Sequence, residues 1–200
     1  MTRFLSSRLD MSRLQAIRPA LLLDIDFEAI RTARLADLQT RLPDVDVLAL
    51  AADPMVMLQE ADAYRETLDK SLLNDTIRGL LPAFASGTDL DHIAARSGIT
   101  RLQVGTATNG DPIWEDDDGF RLRYFASFGA PAAGSEDAYV FSALTAYPGA
   151  WDIATVGPGV HGERGRVDVV VLAPGGVAPT VGSLNAIRDA LRPNSNRPMT

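Results

Sequence analysis

Asp53-Pro54-Met55-Val56-Met57-Leu58-Gln59-Glu60-Ala61-Asp62-Ala63-Tyr64-Arg65-Glu66 opens the stretch on which the reading of this chain turns. Asp53 suits a helix N-cap, and Pro54 suits the first helical position, where a missing N–H leaves no partner bereft. Met57, Leu58, Ala61, Tyr64, Leu68, Leu72 and Ile77 recur at helical steps and mark one apolar side of a rod. Gln59, Glu60, Arg65, Glu66, Asp69 and Lys70 mostly fall off it. A helix carried on to about Leu81 is roughly 40 Å long at 1.5 Å per residue. That exceeds the width of a compact domain of this size. Such a stretch is either a core helix of a globular domain or a rod shared with another chain.

Beyond it, Ala83-Phe84-Ala85-Ser86-Gly87 reads as a break, with Gly87 as a left-handed C-cap. Thr88 or Asp89 then caps a short helix to Arg96, closed by Gly98, with Leu90, Ile93 and Ala94 buried. Residues 88–101 also read as the first half of a helix-turn-helix, the alternative of a small transcription regulator. That needs a second helix after Gly98, whereas Leu102 to Gly110 is β-like and then a turn.

On the N-terminal side, Asp24 or Asp26 caps a helix carrying Phe27, Ile30, Ala33, Leu38 and Leu42, ended by Pro43. Asp44 to Ala52 is a short apolar link. Met1 to Leu23 is irregular and arginine-spotted, an arm on a neighbour or a frayed terminus. Downstream, Asn109-Gly110 makes a turn, and Glu115-Asp116-Asp117-Asp118 leads into Phe120-Arg121-Leu122-Arg123-Tyr124-Phe125. Carboxylates there complement a helix N-terminus. A divalent-ion loop needs ligands spaced around a bend, which a consecutive run does not provide. Ser135 caps a helix with Tyr139, Val140, Ala143, Leu144 and Tyr147. Trp151–Val156 and Arg166–Leu172 read as strands around a glycine-rich loop that lacks the phosphate-loop ending. Thr180 caps a last helix with Val181, Leu184, Ile187 and Leu191. The fold class expected is α+β: an extended N-terminal helical part with one long helix, then a small helix-strand-strand-helix domain. The boundaries expected are 1–98 for the helical arm and bundle region, 99–130 for a connector, 131–192 for the small domain and 193–200 for a tail.

The 200 residues carry a net charge of −7, which argues against a nucleic-acid surface as the main partner. There is no cysteine, so disulfides, zinc-thiolate sites and thiol nucleophiles are excluded. Lys70 is the one lysine; arginines supply the other basic groups. Apolar runs such as Pro19 to Leu23 are too short to span a membrane. His92 and His161 lie in different halves, and hydrolase, zinc-protease and dinucleotide motifs are missing. A hydrolase using one of these histidines with a carboxylate is a third reading. Neither catalytic residues, nor a metal, nor a cofactor is expected.

Several stretches together resemble one family. Asp53-Pro54, Leu58 to Glu66, Asn74-Asp75, Arg78 and Ala85 to Ala95 are similar to the signature of the baseplate assembly protein J family. Asp24 to Ile30 resembles its opening helix. Glu115-Asp116-Asp117 with Phe120 to Arg123 resembles its acidic-then-basic step, and Ala133 to Tyr139 with Ala143-Leu144 the helix that opens its middle domain. The resemblance runs over roughly residues 20 to 200 and six motifs in one order. It implies a structural, non-enzymatic virion component of a contractile tail baseplate, made in the host cytoplasm. The partners implied are a second wedge protein, other copies of the chain, and neighbouring hub, spike or sheath-initiator proteins. Paired through long helices, the wedges would ring the hub and spike, and their rearrangement would trigger contraction. The family carries a further β-rich portion after a turn that Arg197-Pro198-Met199-Thr200 resembles, and ring closure between copies is associated with it.

Overall fold

A computed structural model of the chain describes residues 11–46 and 53–192. The expectations for Met1 to Asp10, for the end of the link into the long helix, and for the last eight residues lie outside the described residues. The fold is α+β, as expected, and divides into two compact units: Arg18–Leu81, and the remainder.

The first unit is a helical hairpin. Helix α2, Phe27–Arg41, starts at Asp26, whose side chain accepts the Ala29 N–H at 3.0 Å. It stops at Leu42, just before Pro43. Helix α3 spans Pro54–Gly79; Asp53 caps it by accepting the Met55 N–H at 2.8 Å. Its 26 residues make a rod of about 39 Å. Leu23 hydrogen-bonds Asn74 at one end, while Leu35 clusters with Val56 at the other, so the two helices run antiparallel.

The second unit begins with a short helix α1, Met11–Ala16, and resumes with α4, Gly87–Ala95. Strands β1, Gln103–Thr106, and β2, Pro112–Trp114, pair antiparallel around the Asn109-Gly110 turn. Then come α5, Asp117–Ser127, α6, Glu136–Ala146, β3, Asp152–Val156, the single turn α7, Pro158–His161, β4, Asp168–Leu172, and α8, Val181–Leu191. β3 and β4 pair antiparallel, with Ile153 opposite Val171 and Ala154 opposite Val170. Alternation along β4 decides its faces: Val171 is buried, whereas Val170 is half exposed. Ser135 and Thr180 cap α6 and α8 as expected.

α5 is the centre of this unit. Phe120 and Tyr124 pack on one side with Ala85, Leu90, Ala94 and Ile99. Leu122 and Ala126 pack on the other with Val140, Leu144, Ile153, Val171 and Ile187. Each pair is four residues apart, and the two pairs are offset by two, which places them on opposite faces.

After Gly98 the chain enters β1, as the β-like reading expects, so the helix-turn-helix alternative lacks its second helix. Two expectations are corrected: the N-terminal segment read as irregular holds the short helix α1, Met11–Ala16, and the break after the long helix is built differently. Gly87 has a positive φ of 54°, but it begins α4 rather than capping the long helix, which ends earlier at Leu80. The glycine-rich loop between β3 and β4 holds one helical turn, closed by Gly162 at a φ of 77°.

Candidate partner interface

The side of α3 that meets α2 is narrow. Val56, Ala63 and Asn74 are its buried residues, seven and eleven residues apart, which is two and three helical turns. Around them the seam is polar. Arg31 pairs with Glu60 at 2.7 Å, Arg34 with Glu66 at 3.0 Å, and Lys70 with Glu66 at 3.1 Å. Bonds from Lys70 and then Arg34 hold the Glu66 carboxyl below the usual carboxylate range. At the foot of the hairpin the Asn74 amide accepts the Leu23 N–H at 2.8 Å and donates to the Leu23 carbonyl at 2.9 Å. From periodicity alone, Glu60, Glu66 and Lys70 are no more than residues off the apolar stripe. The role of Glu60 and Glu66 across the seam, with Lys70 bracing Glu66 from the same helix, depends on which face α2 covers, and the arginines three apart on α2 are the signal for it in the sequence.

The apolar stripe itself is left in solvent. Met57, Leu58, Tyr64, Leu68 and Leu72 are each at least 50% exposed, and Ala61 is exposed too. Met57, Ala61, Tyr64, Leu68 and Leu72 follow one another by four, three, four and four residues, a continuous row along one face. Ile77 does not join them: it follows Leu72 by five residues, about 140° around the helix, and is partly buried. Met55, Leu73 and Leu80, which the stripe does not include, are also exposed. α3 therefore turns its charged side toward α2 and its larger apolar side chains outward.

The second unit carries a different cluster. Glu115 and Arg123, 2% and 3% exposed, form a buried ion pair at 2.7 Å. Arg123 also donates to the Thr100 carbonyl. Arg121 is buried as well; it donates to Asp118 and to the Pro82 and Ala85 carbonyls. Arg101 joins Asp91 at 2.6 Å, Asp117, and the Glu115 carbonyl. Its guanidinium lies 4.8 Å from the centre of the Phe120 ring. Burial pushes the Asp117 carboxyl up, but Arg101 and the Gly87 N–H outweigh it and hold it below the usual range. Burial likewise works against the Arg101 charge, and Asp117 and Asp91 hold it above its ordinary value. The four consecutive carboxylates thus divide the work. Glu115, Asp117 and Asp118 hold arginines, and Asp116 caps α5 through the Gly119 N–H. This cluster is a scaffold joining α4, the β1 approach and α5.

His92 is exposed on α4. His161 accepts the Glu163 N–H at Nδ1, 3.0 Å away. Among the described residues no helix is long and apolar enough to cross a membrane, and no group of acidic or histidine side chains is placed to hold a metal.

The sequence profile of the Baseplate J-like N-terminal domain matches residues 52–108, which take in α3, α4 and β1. Baseplate protein J of Escherichia phage P2 is 32% identical over 162 residues, covering 75% of this chain and 53% of that protein. The chain spans about half the length of that relative. The long capped helix α3 lies within the matched stretch, and at this identity and coverage the chain belongs to the baseplate protein J family.

Proposed function

We propose that the chain is a structural subunit of a contractile phage-tail baseplate. The observation that carries this beyond family membership is the exposed apolar row from Met57 to Leu72 on α3. Large contiguous apolar surfaces in water mark sites of association, and an amphipathic helix with such a row is suited to a bundle with partner helices. In this reading Met57, Leu58, Ala61, Tyr64, Leu68 and Leu72 face a second wedge protein or another copy of the chain, and Ile77, turned toward the other side of α3, does not. The wedges then ring the hub and spike beside the sheath initiator, within the virion tail. Rearrangement of rigid, packed elements in that ring contributes to triggering the sheath. The work is mechanical, and the buried arginine pairs keep the second unit stiff while it is done.

Co-expression with candidate baseplate wedge proteins from the same genome tests the reading. The expected result is a complex that survives gel filtration and is lost in Leu68→Asp with the second unit still folded. Absence of any complex with baseplate proteins, or a complex indifferent to Leu68→Asp and Tyr64→Asp, overturns it.

A further inference from the structure

We propose that α2 is a strap latched to α3 by ion pairs, so that ionic strength sets whether it is docked. The proposal uses only the geometry of the hairpin and is independent of the baseplate reading. Arg31 and Arg34 reach across the seam to Glu60 and Glu66, and Asp62 lies 3.8 Å from Arg34. The side chains of these pairs are between 31% and 43% exposed, so water and salt reach them. Apolar support is small: Ile30 and Leu35 from α2, Val56 and Ala63 from α3, with Leu38 partly buried beside them. The larger apolar side chains of α3 point away from α2 and give it no grip. Exposed ion pairs weaken as salt rises, because the screening length falls from about 10 Å at 0.1 M to about 3 Å at 1 M. The clamp between Leu23 and Asn74 is uncharged and does not respond in this way. α2 therefore loosens along the seam while its foot stays tethered. A free helix of 15 residues is marginal in water, so loosening shows as melting of α2.

Hydrogen exchange of the whole chain, read by mass spectrometry, tests this. Raising sodium chloride from about 0.1 M to about 1 M is expected to speed exchange in α2 about tenfold or more, with α6 unchanged. Protection of α2 that stays constant or rises overturns the latch. A charge exchange separates it from general salt effects. Arg31→Glu and Glu60→Arg are each expected to speed α2 exchange at low salt, and the double exchange to restore both the protection and its salt dependence. Single variants as protected as the parent, or a double variant that fails to recover, also overturn it.

Discussion

At the scale of single residues, the acid-arginine cluster yields the sharpest expectations. Glu115→Ala leaves Arg123 buried without its carboxylate, and breaking one side of a buried pair costs ~3–5 kcal/mol. Thermal unfolding by circular dichroism reads this as a marked fall in Tm. Replacing both, Glu115→Leu with Arg123→Met, is expected to recover much of it, since the uncompensated charge goes too. Asp117 makes a pH prediction. Its carboxyl is held below the usual range, so its contribution is present above the unfolded value of about 3.9 and is lost as pH falls through the lower folded value. Stability measured from pH 6 down to about pH 3 should therefore drop less steeply in Asp117→Asn than in the parent. Two glycines make a further pair. Gly87 and Gly110 have φ of 54° and 91°, so a β-branched side chain strains both by ~1 kcal/mol or more. Gly110 sits in an exposed two-stranded turn that can yield locally. Gly87 stands beside Ala85 and Leu90, both fully buried, so Gly87→Val is expected to lower the global Tm more than Gly110→Val. Equal shifts would show that the α4 start is not part of the cooperative core.

At the scale of the element, α3 separates two effects. Tyr64→Ala and Leu68→Ala remove side chains that already lie in water in the free chain. They are expected to leave its circular dichroism spectrum and melting unchanged while abolishing co-purification with the wedge partner. In a buried partner seam, losing a Leu costs ~2–5 kcal/mol. Were these variants to unfold the chain itself, the stripe would belong to its own core instead. Glu66→Ala acts on the other face. It removes the acceptor shared by Arg34 and Lys70, so it should loosen α2 without blocking partner capture.

At the scale of the molecule, the same row predicts how the chain behaves alone. Exposed Met57, Leu58, Tyr64, Leu68 and Leu72 beside Met55, Leu73 and Leu80 form an apolar flank on a rod of about 39 Å. The isolated chain is expected to self-associate and to bind a hydrophobic dye, and both signals should fall on adding the wedge partner. A dye-silent monomer in light scattering at micromolar concentration would contradict this. The charge of −7 limits aggregation but does not cover the row.

Local chemistry was legible in the residues. Asp53-Pro54 and Asp26 start helices because capping needs only a side-chain oxygen near its own backbone, and Ser135, Asp116 and Thr180 act the same way. The helical steps from Met57 to Leu72 announced one face, and Val167, Val169 and Val171 marked β4. The sequence by itself thus determined the longer helices, the β3–β4 pair, their order and the α+β class, but not the short helices α1 and α7, which carry too few periodic residues to announce themselves. Tertiary structure alone decided which face of α3 is covered, since period gives a stripe but not its neighbour. It made α5 the central helix, with Arg121 and Arg123 buried, because satisfying a buried guanidinium takes carbonyls and carboxylates from distant positions such as Pro82, Ala85, Thr100 and Glu115. It also moved Gly87 from a helix end to a helix start. A positive φ is readable from a glycine, but the side of the break on which it falls is set by the Asp117 carboxylate that receives its N–H.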